Sequence, residues 1–278
     1  MAVHESFLEY GGFRYLKAAT TLCIAAIVVY VLYEPLGPHN GGTWLGYTLG
    51  TIGFGLICWL IWLGVRKRQY DKGAVRLKSW VSAHVYLGLS LLVIGTLHTG
   101  FQFGWNVHTL AYALMVIVIL SGIWGVVAYA RYPALMTTNR AGSTLDGMIR
   151  EMAELDRQAR DLGVKLGDEI AAEIQTEQAR TVMGGGVLAL LRASAKGCPT
   201  AHALGRIEQI AQRARETETV ELAQMMRLLR KKSALVDRIR KDLQYRALME
   251  IWLFFHVPLS VALIAALLVH IISVFLYW

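Results

Sequence analysis

Five apolar runs constrain this chain more than any other feature in it. A bilayer interior offers no water to backbone N–H and C=O groups. A run of about 20 apolar residues must therefore close its hydrogen bonds within itself, as a helix. The runs are approximately Leu16–Tyr33, Trp44–Val65, Trp80–His98, Val107–Tyr129 and Ile251–Trp278. With 55% hydrophobic residues in a chain of 278, the composition is also high for a soluble domain. The expected fold class is an all-α membrane protein with five transmembrane helices.

Basic residues give the orientation. All 28 Lys and Arg fall in three places: Arg14 and Lys17, six between Arg66 and Lys78, and twenty between Arg131 and Arg246. The connections Glu34–Thr43 and Thr99–Asn106 contain none. By the positive-inside rule the N-terminus, the second loop and the long insertion after the fourth span are cytoplasmic, and the C-terminus is outside. The expected setting is a bacterial inner (cytoplasmic) membrane. The net charge of +8 then reports topology and calls for no nucleic-acid partner. Arg14 and Lys17 precede the first span as they would a signal peptide, but Glu34-Pro35 follows it with no small-residue cleavage site, so it reads as a mature helix. Cys23 and Cys58 sit in spans and Cys198 in the insertion, and no Cys-x-x-Cys pair is present.

The stretch from Arg131 to Arg246 holds twenty basic and fifteen acidic residues and no span-length apolar run. Within it Met148, Met152, Leu155, Ala159, Leu162 and Leu166 recur at steps of four and three, and Leu222, Met225, Leu229, Val236, Ile239 and Leu243 largely do the same. Each set forms a narrow apolar stripe that two antiparallel helices would bury against each other. The Gly184-Gly185-Gly186 break and the Gly197-Cys198-Pro199 turn divide the arms, with a short helix at Val187–Ser194 near the tip. The expected organisation is therefore residues 1–130 for spans one to four, 131–248 for a cytoplasmic α-helical hairpin, and 249–278 for span five. No Gly or Pro interrupts Arg206 to His256, so the second arm is expected to continue as one helix into the fifth span.

Two pairs of histidines stand inside these spans, His84 with His98 and His256 with His270, each fourteen residues apart. Fourteen residues of α-helix rotate by roughly 1400°, about 40° short of four turns, and rise about 21 Å. Both members of a pair thus face the same way, one near each end of its span. Five spans that start inside set the third and the fifth in the same direction, which makes His84 and His256 an inner pair and His98 and His270 an outer pair. An imidazole at such depth is costly unless paired, liganded or facing water. One imidazole from each helix at each level suits two stacked haems, since iron accepts two axial nitrogens and the macrocycle prefers apolar surroundings.

Neighbouring residues fit this reading. Gly88 and Gly95 lie on the ligand side of the third span, where the missing side chain leaves room for a planar macrocycle, with ordinary close packing of membrane helices as the alternative. Ordinary close packing of small residues explains Gly46 and Gly50 in the second span. Pro258 removes a backbone donor two residues after His256 and is expected to bend the helix there. Arg14, Lys17, Lys78 and Arg246 are candidates for the inner propionates. The outer ones would meet Asn40, Asn106, His39, His108, water or a partner's charge. His108 reads first as an interfacial histidine, with axial ligation or proton handling at a quinone site as its alternatives. His4, His39 and His202 lie in polar settings and carry no assignment.

The pattern resembles the di-haem b-type cytochromes of membranes. In the cytochrome b family a four-helix bundle carries two histidines on its second helix and two on its fourth, and the membrane domain of ferric reductases looks similar, with ligands on helices three and five. The resemblance covers roughly Trp44–Tyr129 and Ile251–Trp278. It implies that His84, His98, His256 and His270 are axial ligands of two haem b groups in a di-haem four-helix bundle. The Pro-Glu-Trp-Tyr quinol-site motif is absent from this sequence, and the helical hairpin belongs to neither family pattern.

The expected function is transmembrane electron transfer as the cytochrome b subunit of a redox complex, exchanging electrons with the quinone pool. No flavin, iron–sulfur or nicotinamide motif is present, so the chain acts as an electron-transfer subunit rather than a self-contained enzyme. Its expected partners are membrane lipid, quinone, and iron–sulfur, flavin or c-type cytochrome subunits. The alternative from another class is a non-redox membrane scaffold or sensor whose coiled hairpin recruits a cytoplasmic partner. A proton or metal-ion transporter is disfavoured because the span interiors contain no carboxylate.

Overall fold

The computed structural model of the protein describes residues 6–68, 74–181, 199–212 and 219–276. Among them the chain is helical throughout, without strands. The triple-glycine break, the helix expected at Val187–Ser194, Gly197 and Cys198 of the expected turn, and the terminal Tyr277-Trp278 lie outside the described residues. The chain divides into two compact units, Met1–Val126 with Trp252–Trp278, and Val127–Ile251.

The first unit contains α1 (Tyr10–Leu32), α2 (Trp44–Arg68), α3 (Ala74–Thr99), the first part of α4 (Val107–Arg140) and the last part of α8 (Thr219–Leu276). Five helical segments, beginning at Tyr10, Trp44, Leu77, Val107 and Val220, are long and apolar enough to cross a membrane. Their outward faces are apolar as well: Val31 is 72% exposed, Phe254 75% and Phe275 79%. Exposed apolar surface on that scale is unfavourable in water and favourable against lipid tails.

Local sequence explains where these helices start and stop. Gly11, Gly12 and Phe13 all adopt left-handed backbone inside α1, a conformation easy for glycine and costly for Phe13. The regular helix therefore begins just before the apolar run. Thr43 caps α2, its hydroxyl accepting from the Gly46 N–H at 3.0 Å. Gly100, at φ +59, ends α3. A Cβ there would fall 2.1 Å from the His39 carbonyl oxygen, so the glycine also admits the α1–α2 connection close to the end of α3.

The α3 helix makes close backbone approaches to both α1 and α2. Small residues permit this: Ala19, Ala26 and Ala83 are buried, and Gly53 meets Leu91 and Ile94 at ordinary contact distance. Near the N-terminal ends of α1 and α3 the Tyr15 and Ser79 hydroxyls hydrogen-bond at 2.8 Å, and the Tyr86 hydroxyl donates to the Leu8 carbonyl at 2.9 Å. Trp59 stacks on Trp80 with ring centres 4.7 Å apart. Ile57, Leu60, Leu91, Met115 and Leu263 form one apolar core, and Ala26, Leu49, Ile94 and Leu97 form another. The α8 helix runs through Pro258 as one continuous element.

The second unit is richer than a two-helix hairpin. Its helices are the end of α4, α5 (Leu145–Leu166), α6 (Asp168–Arg180), α7 (Pro199–Ala211) and the first part of α8. The first arm breaks at Gly167, whose φ of 109 suits glycine, and not first at the triple glycine. Most residues of the two apolar stripes are buried, with Met152, Leu166 and Leu243 packed against them partly exposed. They share the interior with Ile170 and Ile174 from α6 and with Ala203 and Ile207 from α7.

A buried polar cluster ties four helices of this unit together. Lys232 of α8 pairs with Glu177 of α6 at 2.6 Å and with Asp156 of α5. The Glu177 carboxylate also accepts from the Thr200 hydroxyl of α7 at 2.6 Å and from Thr181 at 2.8 Å. Lys232, Glu177 and Thr200 are almost wholly buried. Removing one partner of such a pair strands a charge in the interior. Glu177→Leu is therefore expected to cost about 3–5 kcal/mol. Glu177→Leu combined with Lys232→Met should recover much of that loss. Denaturant unfolding of the detergent-solubilised protein, followed by circular dichroism, checks both.

Candidate functional site

The four span histidines all lie in the first unit, and α3 and α8 bring them together in two levels. Toward the C-terminal ends of the two helices the His98 and His270 ring centres are 6.0 Å apart, with planes crossing at 81°. About four turns earlier on each helix, His256 is an electrostatic neighbour of His84. The two helices therefore run in the same direction through this unit. All four side chains are partly buried.

The Nδ1 atoms of the four rings have different surroundings. His98 Nδ1 lies 2.8 Å from the Gly46 carbonyl oxygen. A carbonyl only accepts, so this nitrogen donates and Nε2 keeps its lone pair. His256 Nδ1 lies 2.6 Å from the Ser121 hydroxyl, which itself donates to the Val118 carbonyl at 2.8 Å. His270 Nδ1 makes a short hydrogen bond with Nδ1 of His108, whose ring centre lies 4.5 Å from that of His270. His84 Nδ1 is buried without a hydrogen bond of good geometry, beside the backbone of Leu60.

Glycines bring α2 and α4 close to these rings. A Cβ on Gly50 would fall 2.8 Å from His98 Cε1, and one on Gly122 would fall 3.6 Å from His256 Cε1. Gly125 admits Trp252, whose indole would meet a Cβ there at 2.1 Å. The Trp252 indole N–H donates to the Ser121 carbonyl at 2.6 Å, and its ring lies 5.0 Å from that of His256. Gly50 thus does more than serve close helix packing, since it makes room for the His98 imidazole. On α3 itself, a Cβ on Gly88 would meet only Leu60, at 4.0 Å. The room at Gly95 is taken by Met115, which would meet a Cβ at 2.6 Å.

Sequence reasoning did not find Ser121, Gly122, Trp252 or the backbone carbonyl of Gly46. A serine or a tryptophan in an apolar span has ordinary explanations, and a carbonyl has no sequence signature. His108, which reads first as an interfacial residue, is exposed but bonded to His270.

Among the described residues no group of three or more His, Cys, Asp or Glu is arranged to hold a bare metal ion. A bis-imidazole haem asks for less: two rings on opposite sides of one iron. With metal–nitrogen bonds of about 2.0 Å and about 1.2 Å from nitrogen to ring centre, the ring centres would be about 6.4 Å apart. The outer pair stands at 6.0 Å. The His98–His270 pair thus fits the group in spacing, and with the His98 Nδ1–H spent on the Gly46 carbonyl its Nε2 is the nitrogen left to bind.

The seat of Trp252 gives a direct check on this arrangement. Gly125→Ala should displace the indole from α4, lower stability by about 1–3 kcal/mol and change the tryptophan emission. Gly55→Ala, which meets nothing within 4 Å, should leave both near wild type. Thermal unfolding and fluorescence of the two variants decide it.

Compared with known protein families, characterised proteins and solved structures, the chain matches none.

Proposed function

We propose that this chain carries electrons across a membrane through two bis-histidine b-type haems, as the cytochrome b subunit of a redox complex that exchanges electrons with the quinone pool. The observation that carries the reading is the meeting of His98 and His270 at a ring separation of 6.0 Å, from helices that also bring His84 and His256 into one neighbourhood. In this reading His84 and His256 hold the inner haem and His98 and His270 the outer one. The proposed orientation follows the basic residues, with the N-terminus and residues 131–248 cytoplasmic, the C-terminus outside, and a bacterial inner membrane as the setting.

Two axial imidazoles leave iron no open position, so the haems would supply one-electron redox chemistry without binding oxygen. The chain's own work is orientation and tuning. Gly46 and Ser121 accept from the Nδ1–H groups of His98 and His256 and leave the opposite nitrogens free as ligands. Ile57, Leu60, Leu91, Met115 and Leu263 keep water from the core of the unit. The histidines of each helix are separated by about 21 Å along its axis, which sets a two-step path. Iron–sulfur, flavin or c-type cytochrome subunits would complete the path beyond the quinone.

The test is a dithionite-reduced minus oxidised optical spectrum with pyridine-haemochrome quantification, on wild type and on His84→Ala and His270→Ala. About two b haems per chain are expected from two ligand pairs, with each substitution removing one. A colourless wild type from haem-replete cells would overturn the redox reading and favour a membrane scaffold that recruits a cytoplasmic partner.

A further inference from the structure

The inner histidine of α8 is held differently from its outer counterpart on α3. His98 donates to a backbone carbonyl, which no substitution can remove. His256 instead meets a side chain, the Ser121 hydroxyl of α4, at 2.6 Å. That hydroxyl has one proton and a second close neighbour, the Val118 carbonyl at 2.8 Å, which can only accept. With Ser121 donating to Val118 and accepting from His256 Nδ1–H, the hydroxyl and the imidazole N–H each meet an acceptor; with the proton on Nε2 the only ring N–H would lose the serine as its partner.

The position of the serine is itself fixed. Its carbonyl accepts from the Trp252 indole N–H at 2.6 Å, and Trp252 stands one helical turn before His256 on the same helix. The indole is seated on Gly125, where any Cβ would collide with it, and a Cβ on Gly122 would lie 3.6 Å from His256 Cε1. Ser121, Gly122 and Gly125 thus form a cradle on α4 that receives Trp252 and His256 together.

We propose that Ser121 is a positioning residue that fixes His256 in the Nδ1–H tautomer, keeps Nε2 unprotonated as a metal ligand, and thereby sets the potential of the inner haem. The inference rests on the haem reading above for its last clause only, since the tautomer belongs to the chain itself. A hydrogen bond accepted from the distal ring nitrogen raises the basicity of the ligating one. Removing the acceptor makes the imidazole a weaker donor to iron and favours the reduced state.

The experiment compares wild type, Ser121→Thr and Ser121→Val in the full chain. Threonine keeps the hydroxyl, and valine matches threonine in shape without it. In the haem-free, ¹⁵N-histidine-labelled protein, the His256 signal, assigned by its loss in His256→Gln, should report Nδ1–H in wild type and Ser121→Thr. In Ser121→Val it should move toward the Nε2–H tautomer. In the haem-loaded protein, redox titration should show one of two potentials shifted upward in Ser121→Val and the other unchanged, with Ser121→Thr at wild type. An unchanged tautomer in Ser121→Val, or equal shifts of both potentials, would overturn the inference. A wild type that takes up no haem would instead overturn the functional reading, and the nitrogen signal would still decide the role of Ser121.

Discussion

An imidazole in an apolar span has nowhere to spend its N–H except on another helix, and the first unit is organised around that constraint. Hydrocarbon offers no hydrogen bond, and a buried donor without one costs roughly what a lost hydrogen bond does. The α2 helix answers for α3. Gly46 accepts from His98, and the backbone of Leu60 lies beside His84. Gly46 and Leu60 are themselves fourteen residues apart, so the spacing of the α3 histidines is mirrored in the antiparallel neighbour. Close approach of α2 to α3 is the condition for this, and Gly50 and Gly53 on α2 provide it.

The same constraint explains which parts of the site were legible in the sequence. Span positions follow from run length, and the helices run through all five apolar segments. Equal spacing of His84 with His98 and His256 with His270 placed each pair on one helix face, because helix geometry is periodic. The hydrogen-bond partners of those histidines were not legible. Gly46 takes part through its carbonyl, which every residue has, and Ser121 is one of several hydroxyls in apolar segments. Nor did composition reveal that Met115 would fill the space beside Gly95 or that Gly11, Gly12 and Phe13 would turn left-handed within the first turn of α1.

In the second unit the apolar stripes of α5 and α8 were readable from their period, and those residues do form its interior. What period cannot show is a polar residue placed deliberately inside. Lys232 and Glu177 lie in a region rich in charges of both signs, where nothing in the sequence marks two of them for burial, yet both are almost wholly buried and bonded to one another. The contributions of α6 and α7 were hidden for a related reason: each has only 13 residues, too few turns for a stripe to stand out. A buried ion pair contributes little net stability compared with apolar residues of similar volume, but it penalises any arrangement that separates its partners. Here Asp156, Glu177, Thr200 and Lys232 come from four different helices. Their mutual satisfaction specifies one register among apolar surfaces that would otherwise slide.

The contrast between backbone and side-chain partners also separates what is fixed in the site from what can be adjusted. The α3 histidines have backbone beside them, His98 through the Gly46 carbonyl, so their orientation follows from helix packing and changes only if α2 moves. The α8 histidines depend on two side chains of α4, Ser121 for His256 and His108 for His270. A hydroxyl and an imidazole differ in acceptor strength, and a stronger acceptor makes the ring it orients more basic at its other nitrogen. The two α8 histidines therefore sit in unequal surroundings, a hydroxyl beside His256 and an imidazole beside His270. Single substitutions on α4 thus change the hydrogen bonds of the α8 histidines and leave that of His98 on α3 in place.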